Sequence, residues 1–114
     1  MNEPPMSEDL AAKKCKPCEG GTPALSEKEI KAQLSKVPGW AYLKGEIVKV
    51  YTFKNFRHTM AFVNAVANIA DEEDHHPEME VGYKTCKVRY STHAIKGISE
   101  NDFICAAKIE QLLK

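Results

Sequence analysis

Near the middle of this chain the apolar residues change period, and that change restricts the fold more than any other feature. From Phe56 to Asp74 they recur at helical spacing. Phe56, Met60, Val63, Ala67 and Ala70 form one stripe, which Phe62, Val66 and Ile69 widen. Asn55 is a suitable N-cap for this helix. Beyond Pro77 the period falls to two. Met79, Val81 and Tyr83 alternate, and after a turn near Tyr83-Lys84-Thr85 so do Cys86, Val88, Tyr90 and Thr92. A long helix that gives way to a hairpin needs a corner, here Asp71-Glu72-Glu73-Asp74-His75-His76-Pro77. Pro77 biases His76 away from helical angles. His75 is therefore expected to finish the helix, four residues after Asp71 and on the same face. His93 has the opposite parity to its strand's apolar residues and leaves their face where the strand ends.

The four acids of the corner are poorly placed for stability. At the C-terminal end of a helix they face the negative pole of its dipole, at a cost of a few tenths to about 1 kcal/mol each. Such a placement is consistent with a functional task, for example holding nearby imidazoles in a chosen protonation state. A plain solvated acidic end would look the same.

Around this corner the rest of the chain reads as scaffold. Ser26 and Glu29 have the spacing of a capping box, and Ile30, Leu34 and Val37 follow at helical intervals until Pro38-Gly39. Residues 40–44 and 47–53 are β-prone runs divided by Gly45-Glu46, which predicts a hairpin. Ser99 to Asp102 is a second capping box, ahead of a helix with Phe103, Ala106, Ile109 and Leu113 on its inner side. The order αββαββα predicts an α+β domain: a four-stranded antiparallel sheet with three helices on one face. At 114 residues one domain is expected, spanning 25–114. Residues 1–24, rich in Pro, Gly, Lys and Glu, are expected to be a flexible N-terminal tail. Within them Cys15-Lys16-Pro17-Cys18 is a weak redox or metal signal, since no second Cys or His pair follows at similar spacing. Cys86 and Cys105 read as small apolar side chains.

Sixteen basic residues balance sixteen acidic ones, so no strong field attracts nucleic acid or an anionic membrane. No apolar run approaches the length of a membrane span, and residues 1–22 lack the apolar core of a signal peptide. A cytoplasmic protein is expected.

Taken together, Asp71, His75, His76, Pro77, Tyr83, His93 and Asp102, with their intervals, resemble the signature of the pterin-4a-carbinolamine dehydratase family. Trp40 after the first helix, Phe53 and Phe56 around the start of the second, and Ser91-Thr92-His93 before a Gly-containing loop extend the resemblance over residues 24–114. It implies removal of water from 4a-hydroxytetrahydropterin to give the quinonoid dihydropterin, in tetrahydrobiopterin recycling. His75, His76 and His93 would be the catalytic and pterin-binding set, with imidazole as general acid or base. Asp71 would orient or charge His75. Pro77 would help shape the site, and Trp40 would either stack on the pterin ring or serve as a core aromatic. Asp102 would either close the site beside His93 or simply complete its capping box. The resemblance calls for no metal or redox cofactor. It implies a homodimer or homotetramer and an aromatic amino-acid hydroxylase as pathway partner, although some members are linked to molybdopterin metabolism. Two rival readings carry distinct expectations: a zinc site built from the histidines and acids, and a module that binds partner helices through the Phe56–Ala70 stripe.

Overall fold

The computed structural model describes residues 6–17 and 23–113. Its elements are α1 (Met6–Ala11), α2 (Glu27–Leu34), β1 (Ala41–Leu43), β2 (Glu46–Thr52), α3 (Phe56–Glu73), β3 (Glu78–Val81), β4 (Thr85–Tyr90), a 3-10 turn (His93–Ile95) and α4 (Glu100–Leu112). From α2 onward this is the order expected from the sequence.

Local chemistry sets each boundary. The Glu29 N–H donates to Ser26 Oγ at 3.2 Å while Glu29 Oε1 accepts the Ser26 N–H at 2.9 Å, which satisfies two of the free donors at the start of α2. Lys44 and Gly45 both have positive φ, 51° and 81°, so the two-residue β1–β2 turn twists in the sense its strands need. Asn55 Oδ1 accepts the His58 N–H at 2.9 Å and starts α3. His58 is exposed and lies away from the corner.

The four strands pair antiparallel in the order β1-β2-β4-β3. The β2–β4 register sets Ile47 opposite Tyr90 and Tyr51 opposite Cys86, and β3 sets Met79 opposite Val88. Period-two alternation then gathers Ile47, Tyr51, Cys86, Val88 and Tyr90 on one face, where they share a core with the helices. Val50, on the opposite face, is exposed. Burying each large apolar side chain of this core contributes about 1.5–3 kcal/mol.

The structure corrects three readings of the elements. The buried line of α3 runs through Thr59, Phe62, Val66 and Ala70, so Phe62 and Val66, expected only to widen the stripe, lie on its axis, while Phe56 is exposed. α4 is not buried along one side only, because Asn101 to Ala107 are all buried. The reason is the third correction. Residues 6–17 do not behave as the expected tail, since α1 packs on α4 and Leu10, 1% exposed, joins the core. α4 carries Phe103, Ile104, Cys105, Ala106 and Ala107 in succession, more apolar surface than one sheet can cover, and α1 covers the remainder. Cys18 lies outside the described residues.

Candidate active site

The corner forms as the end of α3 unwinds. Asp74 takes left-handed angles, φ 49° and ψ 44°, and its N–H turns back to the Asp71 carbonyl at 3.4 Å. The His75 N–H reaches the Ala70 carbonyl at 3.1 Å. These two bonds form a Schellman cap, with an Asp where glycine is usual. The left-handed residue turns His75 off the face of Asp71, so the expected Asp71–His75 pair does not form. Asp71 instead meets His76, Oδ1 to Nε2 at 3.0 Å.

His75 has a different carboxylate. Its Nε2 lies 2.6 Å from Asp102 Oδ1, and Asp102 has no exposed surface. Asp102 Oδ2 also accepts from Thr92 Oγ1 at 2.9 Å and from the Ser99 N–H at 3.0 Å. Asp102 therefore has two structural attachments. It belongs to the capping box of α4, and it ties Thr92, the residue before His93, to His75. Three donors on one buried carboxylate also explain how a charge survives in the core.

Burial opposes the imidazolium form of His75. The hydrogen bond and negative charge of Asp102 outweigh it, so the group titrates above its ordinary value. The ring of His75 stacks on Tyr90 at 5.3 Å and 13°, and the Tyr90 hydroxyl donates to the His75 carbonyl at 3.4 Å. Burial, followed by the nearby Cys105 sulfur, raises the phenol of Tyr90 and keeps it protonated.

His93 opens the 3-10 turn, which is closed by Lys96 at φ 52° and held at its base by the Thr92–Gly97 bridge. His75, His76 and His93 all line one cavity of about 550 Å³. That volume falls in the range of small-molecule sites. Trp40, Pro77, Asp71 and Asp102 do not line it. Trp40 packs edge-on against Tyr51 in the core, with ring centres 6.3 Å apart, which supports its reading as a core aromatic. Among the described residues no three His, Cys, Asp or Glu side chains converge as a metal site requires, so the geometry offers the zinc reading no support.

The sequence reading missed the part of the lining that the N-terminal segment builds. Cys15, Lys16 and Pro17 line the cavity together with Glu73 and Asn101. Glu73 Oε1 accepts the Cys15 N–H at 2.8 Å, and that bond, ahead of the charge of Lys108, lowers the titration of the Glu73 carboxyl. The Asn101 amide accepts the Lys16 N–H at 3.0 Å and donates to the Lys16 carbonyl at 2.6 Å, pairing with the backbone as a neighbouring strand would. One acid of the corner therefore holds an imidazole and another holds this segment. The available signal was the all-round apolar character of residues 103–107, which calls for cover on a second side.

Three histidines line one cavity, one of them held towards its charged form by a buried carboxylate, and imidazoles so placed can give or take protons. The profile of the family described as pterin 4 alpha carbinolamine dehydratase matches residues 23–112. A protein of Nitrosospira multiformis with the provisional name pterin-4-alpha-carbinolamine dehydratase is 58% identical over 107 residues, covering 94% of this chain and 95% of its own. A protein of the same provisional name from Nitrosomonas eutropha is 56% identical, covering 92% and 94%. The crystal structure of a transcriptional coactivator/pterin dehydratase from Brucella melitensis superposes with a TM-score of 0.77 at 29% identity, covering 80% of this chain and 99% of that one. The chain belongs to the pterin 4 alpha carbinolamine dehydratase family, a family of hydro-lyases. Among the described residues no helix is long and apolar enough to cross a membrane.

Proposed function

We propose that the cavity binds a 4a-hydroxytetrahydropterin and removes its hydroxyl as water, with the histidines as acid and base, in tetrahydrobiopterin recycling. The observation that carries this reading is the convergence of His75, His76 and His93 on one cavity, with His75 backed by Asp102. In the reaction the C4a–O bond breaks, N5 loses its proton, and the electrons of the N–H bond form the C4a=N5 double bond. The hydroxyl leaves as water once it has gained a proton. His75 supplies positive charge beside the leaving oxygen, because Asp102 favours its imidazolium form. His76 and His93, both exposed on the cavity wall, are within reach of solvent and exchange protons with it. A correctly placed acid or base contributes about 10²- to 10⁴-fold.

The test is dehydration of synthetic 4a-hydroxytetrahydropterin followed by ultraviolet absorbance, scored as acceleration over the buffer rate. His76→Ala and His93→Ala are expected to lose about 10²- to 10⁴-fold of that acceleration while remaining folded. A folded wild-type protein that does not accelerate dehydration would sink the proposal.

A further inference from the structure

The geometry points to a reversible disulfide site between Cys15 and Cys105 that fastens the N-terminal wall of the cavity to α4. The two sulfurs lie 3.6 Å apart, at contact distance, although 90 positions separate them in the chain. They are brought together by bonds that do not involve sulfur: Glu73 and Asn101 fix the backbone of residues 15 and 16, and Lys108 Nζ donates to the Ala11 carbonyl at 2.7 Å. Neither thiol takes part in the proposed dehydration. Their exposures differ in a useful way. Cys15 is part-exposed on the cavity wall, whereas Cys105 has no exposed surface. An oxidant reaches only Cys15, and Cys105 is positioned as the resolving thiol.

With a small disulfide such as oxidised glutathione as the oxidant, the chemistry balances in two exchanges. The Cys15 thiol gives its proton to solvent base and the Cys15 thiolate attacks one glutathione sulfur, expelling a glutathione thiolate that takes up a proton. Cys105 then loses its proton and attacks Cys15 Sγ, forming the intramolecular bond and expelling the second glutathione thiolate. Two protein S–H bonds are lost, one S–S bond forms, and the two electrons reduce the small disulfide to two thiols. The two sulfurs share a hydrogen bond in which either can be the donor; that contact, against the effect of burial, holds Cys105 below the ordinary thiol value, with the charge of His75 acting in the same sense, and it pushes Cys15 up.

The bond would act on the site through its wall. It would fix Cys15, and with it the cavity wall, to a helix whose Asp102 lies three residues from Cys105. Consequences for pterin turnover rest on the dehydratase reading; the bond itself is detected without any pterin.

The full-length protein would be incubated with oxidised glutathione, quenched in acid, alkylated and mapped by peptide mass. The expected product is a Cys15–Cys105 linked peptide, lighter by two hydrogens and reversed by a dithiol. In Cys105→Ser, Cys15 should stop at the mixed disulfide with glutathione; in Cys15→Ser, Cys105 should remain a free thiol. Cys18→Ser should still form the bond. A Cys15–Cys18 link in the wild type, or no linked peptide from folded protein, would overturn the proposal.

Discussion

His75–Asp102 and His76–Asp71 join the same two residue types at adjacent histidines, yet water treats them differently. The first pair is 13% and 0% exposed, the second 57% and 80%. In the first, charge is confined by a carboxylate that also satisfies two other donors. In the second, solvent and salt screen the attraction, and pairs of this kind contribute about 0–1 kcal/mol. Distance does little to separate them, at 2.6 and 3.0 Å. Surroundings decide: one pair is part of the architecture, and the other is a solvent-exposed contact beside the cavity.

The largest expected effect that tests this contrast is that of Asp102→Ala. Removing one partner of a buried pair costs about 3–5 kcal/mol, because His75, Thr92 and Ser99 all lose their acceptor. Urea unfolding measures it, and a loss below about 1 kcal/mol would place the two pairs in one class.

A smaller but more specific effect comes from Asp102→Asn, which keeps an acceptor and removes the charge. Its expected cost is about 1–2 kcal/mol at acidic to neutral pH, the difference between charged and neutral hydrogen bonds. It should also reverse a slope. In the wild type the folded-state value of His75 is raised, so its contribution to stability is full below the unfolded value near 6.5. That contribution is lost as pH rises through the folded value. In the variant burial is the main remaining influence, the neutral ring is favoured, and stability from this group should rise with pH instead. Unfolding midpoints across pH 5 to 8 would show the two opposite slopes.

The smallest effect belongs to Asp71→Asn, with an expected change in stability of at most about 1 kcal/mol that shrinks further as salt is added. A loss that is larger and insensitive to salt would mean that the outer pair is not screened as its exposure implies.

The same contrast explains what could be read from the sequence. Features set by neighbours along the chain were legible: the caps at Ser26 and Asn55, the Lys44–Gly45 turn, and the alternation that puts Cys86, Val88 and Tyr90 inside. The three cavity histidines were legible through their intervals. Their carboxylates were not, because the assignment assumed a helix continuing through His75. One residue in the left-handed region, Asp74, was enough to pass Asp71 from one imidazole to the next. The N-terminal wall was hidden for a related reason. Its apolar hold on the domain is Leu10 with the partly buried Ala11 and Cys15, and the rest is polar, too little apolar pattern to mark an element in advance.

Asp102 has a consequence for interpreting sequence change. Because one carboxylate begins α4, anchors the turn before His93 and charges His75, its loss is costly to the fold whether or not chemistry is still required. Its retention in a relative is therefore a poor marker of activity. His76 and His93 stand exposed and carry little of the fold, so on the proposed mechanism turnover alone holds them in place. On that mechanism their presence together is the informative character when a new sequence of this architecture is sorted as catalyst or scaffold.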